Sequence, residues 1–131
     1  MTDNVEKINQ AMATAEQFFE LYYKKMDSER HSIDKMYLEN ASLTWNGNHV
    51  EGIADIKGFL LEKLPNSKTY VNCLDAQPVH GSAVGGNTTV LVTVAGTVKF
   101  GSSQPSGFQQ NFLLAAKDSK WKIVTDTFRS Q

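Results

Sequence analysis

Apolar residues recur every three or four positions in the first half of this chain and every second position from Lys68 onward. Those two periods mark an amphipathic helix and a strand with one buried face. One interruption lies inside the helical half: Leu43-Thr-Trp-Asn-Gly-Asn-His-Val-Glu-Gly52. There Asn46-Gly47 stands between two apolar-rich runs and predicts a tight β-hairpin. Glycine accepts positive φ freely, and asparagine does so more readily than most residues. Helices, hairpin, helix, then four strands is an order that points to an α+β fold, with helices packed on one face of a curved antiparallel sheet.

Val5, Ile8, Met12, Ala15, Phe19, Tyr22 and Met26 form the apolar stripe of a first helix about seven turns long, widened by Phe18 and Tyr23. Asp3 with Glu6 predicts a capping arrangement at its start. Asp27 or Ser28 is expected to cap a second helix through Ile33, Met36 and Tyr37 that closes near Asn40. A third, short helix carries Ile53, Ile56, Phe59, Leu60 and Leu64 and stops at Pro65, whose ring clashes with continued helix. Strands are predicted over 69–79, 88–100, 108–117 and 120–129, with a glycine-rich turn over 81–87 and a turn at Asp118-Ser119. In the second of these strands Val90, Val92, Val94, Val98 and Phe100 share one face. Thr89, Leu91, Thr93, Ala95, Thr97 and Lys99 share the other.

The 131 residues, 40% of them hydrophobic, read as one domain spanning 1–131 with enough chain for a real core. Thirteen basic and 14 acidic residues give a net charge of −1, and the lysines are scattered. The basic stripe of a nucleic-acid module is missing, so no direct nucleic-acid or membrane partner is expected. Cys73 is the sole cysteine, which rules out an internal disulfide and suits a reducing compartment. No apolar run approaches the roughly 20 residues of a membrane helix. The reading is a soluble cytosolic or nuclear protein.

The valine face must meet the helices. The opposite face carries Thr93, Ala95 and Thr97, joined on the last strand by Trp121, Ile123, Thr125, Thr127 and Arg129. A solvated antiparallel face normally carries lysine and glutamate. A flat, mildly apolar, β-branched surface suits burial against another protein instead. The bland alternative is that threonine simply has high strand propensity.

Catalysis would need an acid or base held in an apolar cavity with a raised pKa or a partner. The candidates are His31, His49, His80, Asp55, Asp75 and Asp126. His31 lies in a polar segment and His49 beside a hairpin tip. Asp75 lies within a strand and is free to point inward, yet no second titratable group is spaced to work with it. Three scattered histidines and one cysteine do not build a zinc site. A non-enzymatic protein is expected, without catalytic residues, cofactor, metal or small-molecule substrate.

Phe18-Phe-Glu-Leu-Tyr-Tyr23, Met36-Tyr37, Leu43-Thr-Trp-Asn-Gly47, Gln77-Pro-Val79, Phe108-Gln-Gln-Asn-Phe112 and Phe128-Arg129 together resemble the nuclear transport factor 2 family, in the same order over almost the whole chain. Trp45-Asn-Gly-Asn48, Leu64-Pro65, Asp75-Ala-Gln-Pro-Val-His80 and Gly96-Thr-Val-Lys-Phe100 resemble more closely its messenger-RNA export branch, the small subunit of the general export receptor. The resemblance implies a cone-like fold whose sheet face pairs with a second subunit of the same fold. In the export branch that subunit is the nuclear transport factor 2-like domain of the large mRNA export receptor, so a heterodimer that supports nucleoporin docking and shuttles between nucleus and cytoplasm is implied. Arg129 matches an arginine that pairs there with a carboxylate of the receptor. Thr93, Thr97, Thr125, Thr127 and Asp75 are the other expected partner contacts. Trp45 resembles a tryptophan that helps bind nucleoporin phenylalanine-glycine repeats in the family's homodimeric carrier. In the export branch that pocket is attributed mainly to the large subunit, and packing is the expectation for Trp45.

The alternative implied by the family is a homodimeric import carrier for GDP-bound Ran. That branch places an acid after the hairpin tryptophan and an acidic pair in the loop after the long strand. This chain has Asn46 and Gly101-Ser-Ser103 there, and lost carboxylates weaken both attraction and on-rate. A self-complementary threonine face would give a plain homodimer, with Asp75 as the acid available to Arg129.

Overall fold

The computed structural model describes residues 2–79, 89–117 and 120–131. Helix α1 (Thr2–Ser28) leads into a 3₁₀ helix (Arg30–Met36) and strand β1 (Tyr37–Trp45). Then come β2 (Asn48–Glu51), α2 (Ile53–Glu62), β3 (Ser67–Val79), β4 (Thr89–Phe100), β5 (Ser106–Lys117) and β6 (Lys120–Ser130). The strands form one curved six-stranded sheet in the order β2-β1-β6-β5-β4-β3. All pairings are antiparallel except β1 with β6, which is parallel and makes the sheet mixed. The predicted turns at 81–87 and Asp118-Ser119, and His80, lie outside the described residues.

The hairpin forms as read. Trp45 pairs with Asn48, and Asn46 and Gly47 take φ of 49° and 87°. Two positive φ values in a two-residue loop match the right-handed twist of the strands on either side. Asn46 also ties the hairpin to β6: its backbone N–H donates to the Phe128 carbonyl at 2.9 Å, and its side chain accepts from Ser130 N at 2.8 Å.

The helical half departs from its pattern in two places. On α1 the buried stripe runs Ala11, Ala15, Phe18, Tyr22, Met26, whereas Val5 and Ile8 are 58% and 49% exposed. The apolar phase therefore drifts toward the core only from the third turn, where the sheet lies beneath the helix. The expected second helix is a 3₁₀ segment that ends at Met36, and Tyr37 already pairs with Ile123 as strand. Ile33 and Met36, both buried, are three apart, the spacing that a three-residue turn stacks on one side. Neither Asp27 nor Ser28 caps it. Asp27 instead accepts from Ser67 Oγ at 2.6 Å, Thr69 N at 2.9 Å and Thr69 Oγ1 at 3.0 Å, binding the end of α1 to the start of β3. Arg30 completes that corner by donating to the carbonyls of Met26, Leu60 and Leu64 and to Ser67 Oγ.

Two β-bulges set which side chains face which way. In β3 the register passes from Val71–Gly96 to Cys73–Ala95, leaving Asn72 unpaired. Gly96 is needed there, because a Cβ would run into the Tyr70 carbonyl oxygen. In β6 Ile123 pairs with Leu114 but Thr125 pairs with Leu113, so Val124 is the extra residue. This corrects the sequence reading of the last strand. Ile123 is fully buried and Trp121 packs against the core, while Thr125, Thr127 and Arg129 stay on the outer face. The core between helices and sheet includes Leu43, Trp45, Ile56, Leu60, Val92, Val94, Phe112, Leu114, Ile123 and Phe128, each burial of that kind contributing roughly 1.5–3 kcal/mol. The long edge strand β3 is blunted by the Asn72 bulge, Pro78 and outward Lys68, devices that discourage further strand pairing.

Candidate partner-binding face of the sheet

The register carries one row of side chains across all six strands. Asp75 pairs with Thr93, Thr93 with Asn111, Asn111 with Thr127, Thr127 with Thr44, and Thr44 with His49. At about 4.8 Å per strand the row spans roughly 24 Å. Thr93, Asn111, Thr127 and Thr44 at its centre are half-buried by their neighbours, and the two ends are exposed. Thr125 lies in the next row beside Leu113, and Thr97 lies two rows the other way beside Tyr70. Tyr70 is 55% exposed and Leu91 36%. The face therefore mixes hydroxyls and amides with apolar surface and carries few charges.

The structure brings Thr93, Thr97, Thr125, Thr127, Asp75 and Arg129 onto this one surface. Arg129 is exposed opposite Gln109, next to the row of Thr127. Asp75 points outward too, not into the core, three strands and one row from Arg129, roughly 16 Å by sheet geometry. The ion pairs among the described residues join Lys24 to Glu29, His49 to Glu51 and Lys57 to Asp34, so neither Arg129 nor Asp75 has a charged partner there. Trp45 does not reach this face. It is 6% exposed and stacks on Phe128 with ring centroids 3.7 Å apart and planes 8° from parallel, with Phe59 and Phe100 at its edges.

Of the titratable candidates, His31, His49 and Asp55 are exposed, and His49 is 2.9 Å from Glu51. Among the described candidates Asp126 alone is interior. Its Oδ2 accepts from Tyr37 Oη at 2.6 Å and Tyr22 Oη at 3.3 Å, and its Oδ1 from Gln110 Nε2 at 2.8 Å. Tyr23 Oη donates in turn to Gln110 Oε1 at 2.7 Å. Burial pushes the Asp126 carboxyl up to about 6, against the pull of its three donors. Burial, with the neighbouring Asp126, also holds the Tyr22 and Tyr37 hydroxyls well above their ordinary range. Alternation from Thr125 and Thr127 already puts Asp126 on the core face, but its partners Tyr22, Tyr37 and Gln110 lie on other elements, 16 to 104 residues away, so the network was not legible from sequence. What alternation misplaced was Ile123, and the signal there was the five-residue spacing of Ile123 and Phe128, two large apolar residues that both fit the core only if an extra residue intervenes.

Beside the network, the described residues leave little space. The cavity bordered by Tyr22, Tyr23, Trp45, Phe108, Gln110 and Phe128 has a volume of about 10 Å³, room for one water. Small-molecule sites occupy about 300–1,000 Å³, and Asp126 is closed from solvent behind its donors. A wider open depression of about 730 Å³ lies outside, lined by Leu38, Glu39, Asn40, Glu51 and Gly52. No group of three His, Cys, Asp or Glu among the described residues is placed to hold a metal ion, and no described helix is long and apolar enough to cross a membrane.

Comparison with known proteins agrees with this architecture. The family model described as nuclear transport factor 2 (NTF2) domain matches residues 14–130. The human NTF2-related export protein 2 is 44% identical over 128 residues, covering 95% of this chain and 89% of that protein. Among solved structures, nuclear transport factor 2 from Cryptosporidium parvum superimposes with a TM-score of 0.83 at 25% identity, over 93% of this chain and 95% of that one. The C. albicans Mtr2-Mex67 M domain complex gives a TM-score of 0.74 at 12% identity over 93% of this chain and 96% of that one, a likeness of fold. With a six-stranded mixed sheet backed by three helices, and with the domain match running from the second half of α1 to the end of β6, the chain belongs to the nuclear transport factor 2 family.

Proposed function

We propose that the protein is a non-enzymatic cofactor in nuclear export of mRNA. It uses the outer face of its sheet to form a heterodimer with the nuclear transport factor 2-like domain of the large mRNA export receptor, and so supports that receptor's docking to nucleoporins. The observation that carries the reading is the half-buried row Thr93–Asn111–Thr127–Thr44, flanked by Arg129, which has no ion-pair partner among the described residues. Half-buried hydroxyls and amides beside leucine, alanine and tyrosine offer both contact area and hydrogen bonds to a second sheet. The names of the relatives point the same way: export proteins by sequence, and a two-chain Mtr2-Mex67 complex by fold.

In this reading Thr93, Thr97, Thr125, Thr127, Asp75 and Arg129 touch the partner, RNA is bound by the partner, and the pair shuttles between nucleus and cytoplasm. The interior cavity beside Tyr22 and Gln110, about 10 Å³ among the described residues and far smaller than a small-molecule site, supports the non-enzymatic reading. Asn46, which the Ran-carrier reading needs to be acidic, is committed to Ser130 and Phe128.

The test is co-purification with the receptor's domain after Thr127→Glu. A glutamate at the centre of a covered face buries an unpaired charge, at several kcal/mol. The complex is expected to be lost while the variant keeps its melting temperature within a few degrees. Glu20→Lys, on the exposed side of α1, is expected to leave it intact. A complex that survives Thr127→Glu assigns the partner to another surface.

A further inference from the structure

Lys68 in β3 and Lys99 in β4 stand directly opposite one another in the antiparallel register, both exposed and both turned away from the helices. Side chains so paired have Cβ atoms about 4.5–5.5 Å apart, and like charges at that separation repel. No carboxylate among the described residues pairs with either lysine. The Lys68 ammonium lies 6.0 Å from the centre of the Tyr70 ring, which offers a π face and no counter-charge. From this pair to the Asp75 row, β3 to β6 direct Lys68, Lys99 and Arg129 outward, against Asp75 as the one carboxylate. Tyr70 and Thr97, in the adjacent row, make the lysine pair continuous with the threonine surface.

We propose that the Lys68–Lys99 pair is a second electrostatic anchor of the heterodimer, receiving carboxylates from the partner's sheet, and that it selects an acid-bearing partner over a second copy of this chain. The inference rests on the heterodimer reading above. A covering sheet strips water from both ammonium groups, so it must bring negative charge to them. Another copy of this chain brings three cations and a single carboxylate in the same rows, and repulsion of that kind is how an interface rejects a wrong partner.

The experiment is titration calorimetry of the full chain against the receptor's nuclear transport factor 2-like domain at low and moderate salt, with the melting temperature of the free chain measured alongside. Lys99→Glu exchanges the repulsion for an attractive cross-strand pair with Lys68. The free variant is expected to melt at or above the wild-type temperature yet to bind the partner at least about tenfold more weakly. The double variant Lys68→Gln/Lys99→Gln is expected to flatten the salt dependence of binding. Lys120→Glu, at the far end of β6, is expected to change affinity by no more than about twofold. Wild-type affinity in Lys99→Glu, together with loss of binding in Thr127→Glu, overturns the anchor and leaves the heterodimer standing. Binding unaffected by either variant, or a wild-type chain that associates only with itself, overturns the heterodimer reading as well.

Discussion

Tyr37 donates its hydroxyl proton to Asp126 Oδ2 across 2.6 Å, and the two residues are 1% and 0% exposed. A carboxylate so deep in a protein survives only with donors around it. Tyr22 and Gln110 supply the others, so one polar network links α1, β1, β5 and β6 through a single side chain. The sheet face that carries the threonines is the reverse side of these same strands.

The network makes stability depend on pH in a defined direction. The folded carboxyl titrates at about 6, above the unfolded value near 3.9, because burial outweighs the three donors. The native chain therefore holds a proton that the unfolded chain has lost. The stabilisation this gives is fully present below about pH 4 and is lost as the pH rises through about 6, on the order of 2–3 kcal/mol in all. Asp126→Asn, with no such proton, is the baseline. Urea unfolding of both proteins at pH 4, 5, 6 and 7 is expected to show the wild-type advantage shrinking by that amount. A difference that stays constant would contradict it.

Asp27 holds the end of α1 to β3 with three hydrogen bonds, from Ser67 Oγ, Thr69 N and Thr69 Oγ1. Asp27→Ala leaves these donors to water and is expected to cost about 2–4 kcal/mol, with Asp27→Asn in between. The check is a shift of the urea midpoint with an unchanged slope, which separates lost stability from a changed unfolded state.

Trp45 is a packing residue in this structure, face to face with Phe128. Truncating a buried aromatic of this size to alanine typically costs about 3–5 kcal/mol. Trp45→Ala is expected to lower the unfolding midpoint by that equivalent. At temperatures where the variant remains folded, its affinity for the partner domain is expected to stay within a few-fold of wild type. A large loss of affinity with little loss of stability would give Trp45 a role in partner binding beyond packing.

Arg129→Ala separates a covered face from a solvated one. If a partner desolvates the guanidinium against a carboxylate, its removal costs about 2–5 kcal/mol, roughly 30-fold to several thousand-fold in affinity. A rim arginine costs less than about 1 kcal/mol and depends strongly on salt. The first outcome is expected in a pull-down from nuclear extract or in direct titration; retention of the receptor by the variant removes Arg129 from the site, and recovery of only the chain itself favours a homodimer.

Much of what is local in this fold was legible from the chain, although the second helix is a 3₁₀ turn without the expected cap. Asn46-Gly47 determined the hairpin, Pro65 stopped the helix before it, and the alternation Val90-Val92-Val94 assigned the two faces of β4, because each depends on neighbours a few residues apart. The outer-face threonines were legible for the same reason. Tertiary structure decided what depends on registry between distant strands. The Val124 bulge turns Trp121 and Ile123 to the core side that Asp126 also faces, and the pairing of β6 with β1 and β5 brings Asp126 to Tyr22, Tyr37 and Gln110, partners between 16 and 104 residues away. It also decided that Lys68 faces Lys99, 31 positions along the chain, and that Asp75 and Arg129 share a surface without touching. A single inserted residue flips every later side chain to the other face of a strand, and only the packing of Ile123 and Phe128 against the helices makes that insertion favourable.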